Sequence, residues 1–164
     1  MRQFLPVESS AKKKIPPDAV MYLSETCPHC PQVLQSLTDL LKAGNLASLK
    51  LLNISYHSRQ AQVLNIKSLP WVKIGPFEIE GLSPAHEYAN WARVVNTIEG
   101  LCDYLKLLLG SGQLKKAEDV IASENGGFDA LLVLLADVEA DITVRTGASA
   151  LLEALEGSRK LEQA

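Results

Sequence analysis

The residues best suited to chemistry are two cysteines separated by two residues. Cys27 and Cys30 enclose Pro28 and His29 within the segment SETCPHCP, residues 24–31. A short apolar run at 19–23 precedes this segment and predicts a buried strand, whereas apolar residues at helical spacing follow it over 32–42. We therefore expect both cysteines where a strand turns into a helix, because the unpaired N–H groups of a helix start stabilise a thiolate.

The spacing of the two cysteines also predicts different roles for them. Cys27 is expected at the exposed helix start as the attacking thiolate, and Cys30, one turn further on, as a more buried residue that closes the disulfide. Pro28 suits a first helical turn, where its missing N–H would be unpaired anyway. A protonated His29 would add positive charge beside the sulfur. We predict Cys27 and Cys30 as the catalytic, redox-active pair and Pro28 and His29 as modulating residues.

Two other interpretations of the cysteine pair remain open, half of a zinc or iron–sulfur site and an inert surface pair. Tetrahedral metal sites usually need four ligands, and the sequence contains no second CxxC motif. His29 could be a metal ligand rather than a modulator, but the same shortage of partners applies. Redox chemistry is therefore favoured, and we predict no metal and no other cofactor, since no nucleotide or flavin motif occurs.

The composition places the pair in an ordinary globular protein. The chain has 164 residues, 47% hydrophobic and 21% charged, with a formal net charge of −3. This balance does not indicate nucleic acid or an acidic membrane as a partner. No run reaches the ~18 apolar residues of a membrane span, and the first residues lack the apolar core of a signal peptide. With three cysteines, an odd number, we expect a cytoplasmic protein rather than a secreted disulfide framework.

The pattern along the chain predicts an α/β part followed by an all-helical part. Residues 1–17 form a polar, proline-containing lead-in. The predicted elements after it are a strand at 19–23, a helix at 32–43, a strand at 49–54, a helix at 58–65, a hairpin of 72–74 and 77–80, one long helix from Ser83-Pro84 to Leu109, and three helices at 113–124, 128–136 and 141–156. Gly110-Ser111-Gly112 reads as a hinge.

This order of elements around a CxxC motif resembles the thioredoxin superfamily over about residues 18–109. The segment Cys27-Pro28-His29-Cys30-Pro31 is similar to the glutaredoxin-like units of protein disulfide oxidoreductases and to the amino-terminal redox domain of flavin-linked alkyl hydroperoxide reductase. Leu69-Pro70 stands at the position of the family's cis-proline, and Gly81 where the last strand gives way to the final helix. Met21 replaces the buried acid of classical thioredoxins, which favours the glutaredoxin-like type.

The resemblance implies a three-layer α/β/α sandwich with a mixed central sheet, residues 18–109, followed by a small all-α extension, residues 113–158. It also implies that Leu69, Pro70 and Trp71 bind substrate, with the backbone beside a cis Pro70 facing Cys27. An ordinary trans proline in a turn is the alternative for Pro70, and a core position is the alternative for Trp71.

The helical extension has its own resemblance. Residues 128–156 resemble a single HEAT-like helix pair, and one pair cannot bury its own apolar face. It is therefore expected to pack on the redox domain, on a second copy or on a partner. Cys102 falls on the apolar stripe of the long helix and is expected to be a buried small hydrophobe.

Two hypotheses of function follow from these features. The first is a thiol–disulfide oxidoreductase that acts through a mixed disulfide with a protein substrate and is served by an upstream thiol or flavoprotein reductase. The second is a redox-linked adaptor whose helical part, within 113–158, docks on a larger enzyme. Neither hypothesis assigns a nucleic acid or membrane partner.

Overall fold

A computed structural model describes residues 14–162 of the chain, with side-chain burial given for residues 14–157. Residues 1–13 of the predicted lead-in lie outside the described part. Within it, the strands are β1 (Asp18–Leu23), β2 (Ser48–Asn53), β3 (Trp71–Ile74) and β4 (Phe77–Glu80). The helices are α1 (Cys30–Lys42), α2 (Ser58–Val63), α3 (Ala85–Val94), α4 (Ile98–Gly110), α5 (Leu114–Ser123), α6 (Gly127–Ala136) and α7 (Ile142–Glu162).

The four strands form a mixed sheet in the order β2-β1-β3-β4. β1 and β2 run parallel, as a crossover through α1 requires, whereas β3 runs antiparallel to both β1 and β4. The tight turn between β3 and β4 contains Gly75 at φ +55, a backbone conformation that favours glycine. The predicted fold class is confirmed: a thioredoxin-like α/β/α sandwich with a mixed central sheet, followed by a helical region.

Alternation along the strands assigns the two faces of the sheet to different helices. Ala19 and Met21 of β1 belong to a large buried cluster with α1, α3 and α4. Tyr22, the next residue along, belongs to a second, smaller cluster on the opposite face with Ala61 of α2. One face is therefore covered by several helices and the other by a helix of six residues.

The large cluster continues from the sheet into the helical region without a gap. Leu105 and Leu109 of α4 are buried against residues of α5, α6 and α7. The extension thus packs on α4, within residues 18–109, which is the first of the three arrangements expected for it. The division into domains at 109–113 stays a prediction: a turn with Gly112 at φ +73 lies there, yet buried side chains pack across it.

Two polar contacts tie the helical region and α4 to the last strand. The Lys116 Nζ of α5 lies 2.6 Å from a carboxylate oxygen of Glu78 in β4. The backbone N–H of Glu78 donates to the hydroxyl of Tyr104 in α4 at 3.2 Å. The Tyr104 ring packs edge-on against Phe77 and Trp91. An aromatic cluster thus joins β4, α3 and α4.

The prediction of one long helix from residue 84 to residue 109 was wrong. The helix breaks after Val94, where Asn96 adopts φ +61, and α4 starts anew with Thr97 as its N-cap. The Thr97 hydroxyl accepts the backbone N–H of Gly100 at 3.0 Å. Apolar residues keep a helical spacing on both sides of the break, so periodicity does not reveal it. α3 also begins one residue later than expected, with Pro84 rather than Ser83 at the N-cap.

Gly100 allows the close approach of α4 to the end of α3. A Cβ atom built there would collide with the Val94 carbonyl oxygen and would lie 2.8 Å from the Val94 Cγ2. The obstructing carbonyl is backbone, so it cannot move aside as the end of a flexible side chain would. The break between the helices therefore depends on glycine at this position.

We predict that Gly100→Ala lowers the free energy of unfolding by about 1–3 kcal/mol, because the added methyl group forces α3 and α4 apart. Urea unfolding followed by circular dichroism measures the change. The control is Gly110→Ala in the same helix, where nothing lies within 4 Å of the added Cβ. There the higher helix propensity of alanine should leave stability unchanged or raise it by up to about 1 kcal/mol. Equal losses in both variants would contradict this role of Gly100.

Candidate active site

The cysteine pair lies in the turn between β1 and α1. β1 ends at Leu23, and the backbone N–H of Cys27 donates to the Ser24 carbonyl at 3.3 Å. His29 is the N-cap of α1 without a side-chain capping hydrogen bond, and its carbonyl accepts the N–H of Val33. The turn thus ends in a helix start, as the sequence predicts.

The helix, predicted over 32–43, begins two residues earlier, but Cys27 is not part of it. Cys30, not Cys27, is its first residue, and Pro31 rather than Pro28 occupies the first turn. Both prolines lack an N–H and suit a first turn equally well, so the sequence does not decide between them. The expectation that Cys27 stands at the first helical position was therefore wrong. Cys30 is the residue at the helix start. Cys27 lies before the helix and is close to its start because the two sulfurs are bonded to each other.

The structure brings the two cysteines together in a disulfide. Their Sγ atoms are 2.15 Å apart, and their Cα atoms are 5.5 Å apart, within the usual range for a disulfide. The three-residue spacing closes a small ring at the start of the helix. The two sulfurs are bonded to each other, and the described residues hold no group of three or more side chains suited to a metal ion.

The two sulfurs differ in their exposure to solvent. Cys30 is 5% exposed and belongs to the large buried cluster. Cys27 is half-buried at the edge of that cluster, with the exposed residues Thr26, Pro28 and His29 around it. A molecule approaching from solvent therefore meets Cys27 first, in the order that the sequence predicts.

The surroundings of Cys30 are apolar. Met21, at the position of the thioredoxin acid, is 0% exposed, and no polar or charged residue is buried anywhere in residues 14–157. A free thiolate on Cys30 would thus be costly, since an apolar environment disfavours the charged form. The charged or titratable side chains of this turn, Glu25 and His29, are both exposed.

The predicted substrate-binding segment is divided between the two faces of the sheet. The Leu69-Pro70 peptide bond is cis, and Leu69 is half-buried and packs against both clusters. The Pro70 carbonyl accepts the N–H of Gly81 at 2.8 Å. Trp71 is 1% exposed and packs edge-on against Tyr22 in the second cluster, on the face opposite Cys30. Contact between Trp71 and a substrate at the disulfide would require its neighbours to move, so that role stays a prediction.

Leu69 offers the free backbone groups nearest to the cis bond. Its own N–H and carbonyl make no backbone hydrogen bond within the described part of the chain, whereas the flanking Pro70 carbonyl is occupied. Unpaired backbone groups at the end of a strand can pair with an extended peptide. The sequence singles out Leu69 only through the resemblance.

Cys102 lies apart from the site. It is 7% exposed on α4, and its Sγ is 3.6 Å from the Ala130 carbonyl oxygen of α6. Burial raises the pKa of its thiol, which makes the reactive thiolate scarcer. The prediction of a buried small residue is confirmed.

The two histidines outside the cysteine turn also lie apart from the site. His57 caps α2 without a side-chain hydrogen bond, and His86 is exposed on α3.

No protein-family model matches the chain, and no curated protein matches it. Among the residues described, no helix combines the length and the apolarity that crossing a membrane requires.

We predict a fixed pattern of thiol accessibility from these three environments. A maleimide reagent should label no cysteine in the oxidised native protein, one (Cys27) after mild reduction, and Cys30 and Cys102 only after unfolding, since both are buried and burial raises the pKa of Cys102. Mass spectrometry of the labelled protein counts the additions. Removing Cys102 by Cys102→Ala should leave the first two counts unchanged. Rapid labelling of Cys102 in the folded protein would contradict the buried position.

Proposed function

We propose that the protein is a thiol–disulfide oxidoreductase of the thioredoxin superfamily, glutaredoxin-like in type, with Cys27 as nucleophile and Cys30 as resolving cysteine. One observation carries the proposal: a disulfide at a helix start whose first cysteine is partly exposed and whose second is buried. A structural disulfide needs no such difference, whereas exchange with a substrate requires one sulfur to be reachable and the other to be protected.

The exchange proceeds in two balanced steps when the reduced protein acts on a substrate disulfide. The Cys27 thiolate attacks one substrate sulfur, so that a mixed disulfide forms and the other substrate sulfur leaves as a thiolate. The Cys30 thiolate then attacks the Cys27 sulfur, which closes the Cys27–Cys30 bond and releases the first substrate sulfur as a thiolate. Two electrons pass from the protein to the substrate. An external dithiol or flavoprotein reductase must return them.

The protein's own groups supply the conditions for these steps. The helix start under Cys30 provides unpaired N–H groups and the positive end of a dipole, which favour thiolate character in the pair. Because the pocket around Cys30 is apolar, its proton must leave towards the exposed side of the turn, where His29 and Glu25 stand. The Leu69 backbone would hold an extended substrate segment beside Cys27.

We predict opposite phenotypes for the two cysteines. Cys27→Ser should lower reduction of a model protein disulfide by more than about a hundredfold, since a serine hydroxyl is not ionised near neutral pH. Cys30→Ser should retain the first step and accumulate a mixed disulfide with the substrate, visible on a non-reducing gel. The matched control is Cys102→Ser, a cysteine outside the site, which should do neither. Undiminished turnover by Cys27→Ser would end the proposal.

The adaptor hypothesis keeps one observation in its favour. Four apolar side chains within residues 132–142, at the end of α6 and the start of α7, are between 45% and 75% exposed: Leu132, Val133, Val138 and Ile142. Contiguous exposed apolar side chains are a common sign of a contact surface. Because α5, α6 and α7 share the core with α4, removing them would expose that core, so surface substitutions are the sharper test.

If this surface docks a partner or substrate protein, Val138→Glu should reduce the mixed disulfides trapped by Cys30→Ser in a cell extract several-fold, without lowering activity on a small disulfide. The control is Ile15→Glu, since Ile15 is 80% exposed at the opposite end of the chain and Val138 is 75% exposed. Equal trapping by both variants would leave the oxidoreductase proposal intact and end the docking role. Location in the cytoplasm and the identity of the reductase stay predictions from the sequence.

A further inference from the structure

A pocket lies on the face of the sheet opposite the disulfide. Its volume is about 530 Å³, within the range of small-molecule sites. It exists because α2 has only six residues and covers this face incompletely. Its lining comes from three strands and one helix: Val20, Tyr22, Lys50, Leu52, Arg59, Gln60, Val63, Leu64, Trp71 and Lys73.

The register of the sheet arranges the floor of the pocket in two rows. In the first row Tyr22 of β1 is flanked by Leu52 of β2 and Trp71 of β3. In the second row, two residues back along β1, Val20 is flanked by Lys50 and Lys73. Neighbouring strands lie about 4.8 Å apart, so these two lysines start roughly 10 Å from each other on either side of an apolar residue. An apolar row thus adjoins a cationic one.

The cations of the pocket are not neutralised by the protein. Arg59 of α2 adds a third positive charge, and within residues 14–162 none of the three takes part in an ion pair. Among the residues that the structure describes, no acidic side chain lines the pocket. Glu78, the cross-strand neighbour of Lys73, is bound by Lys116 at 2.6 Å instead. Three unpaired cations in one pocket stand out in a chain whose net charge is −3.

The floor also holds a hydrogen-bond donor without an acceptor. The indole Nε1 of Trp71 is buried and has no partner, although Trp71 is only 1% exposed. The nitrogen itself is closed to solvent, so a molecule in the pocket would contact the indole ring and not the N–H. Trp71 therefore contributes apolar floor to the pocket.

We propose that this pocket binds a small monocarboxylate with an apolar body. The body would lie on the row of Leu52, Tyr22 and Trp71, and the carboxylate would lie among Lys50, Lys73 and Arg59. The apolar lining favours a single small anionic head over a polyanion such as a phosphate ester, which needs several converging polar donors. The site is separate from the disulfide and does not depend on the proposed redox function.

Decanoate is a suitable probe, and the two indole N–H signals in a ¹H–¹⁵N spectrum of the full chain report binding. Titration below the micellar concentration should shift the Trp71 signal saturably, with Kd below about 1 mM, and leave the Trp91 signal in place. Trp71→Phe assigns the signals. Decanol and decylammonium have the same chain with a neutral or positive head, and both should bind at least about tenfold more weakly.

A pair of charge reversals tests the cations. Arg59→Glu should weaken decanoate binding at least about tenfold, whereas Lys42→Glu, the same charge change on an exposed residue of α1, should alter it less than about twofold. An unmoved Trp91 signal shows that each variant is folded. The proposal is overturned if decanoate does not shift the Trp71 signal, if decanol binds as well as decanoate, or if the two charge reversals have equal effects.

Discussion

The burial of Cys30 at the start of α1 is the constraint on which the site depends. Its side chain is part of the same apolar cluster as Val33 and Leu37 of α1 and Met21 of β1. The second sulfur is therefore fixed by core packing, and the turn that carries Cys27 must reach towards it from solvent. If a charged group were buried beside Cys30, water would reach Cys30, and the two cysteines would differ less in their exposure to solvent. An apolar core thus gives two chemically identical side chains different exposure to solvent.

α4 connects this site to the rest of the molecule. Through Tyr104 it contacts Phe77 of the sheet and Trp91 of α3, and through Leu105 and Leu109 it joins the cluster that contains α5, α6 and α7. The helical region is consequently not an appendage held by one linker. It covers a helix that a thioredoxin-like sandwich would otherwise present to solvent, and α5, α6 and α7 in turn bury their apolar residues against that helix.

The strand segments, the hairpin of β3 and β4 and the cysteine pair could be predicted from the sequence, because alternation and turn residues are local signals. The break between α3 and α4 could not, because Asn96 at φ +61 interrupts the helix without interrupting its apolar spacing. The start of α1 was misplaced because Pro28 and Pro31 give the same local signal. The packing of α5, α6 and α7 on α4 was only one of three expectations, since a sequence shows that an apolar face must be covered but not by what.

The two faces of the sheet are covered to different extents by helices. On the face of Met21, several helices exclude water, and the chemistry is confined to the one edge where Cys27 emerges. On the face of Tyr22, one short helix leaves a pocket with an apolar floor and cationic side chains around it. Alternation along β1 separates these faces by a single residue. Trp71, next to the cis Leu69-Pro70 bond, thereby belongs to the second face and not to the site that its position in the sequence suggests.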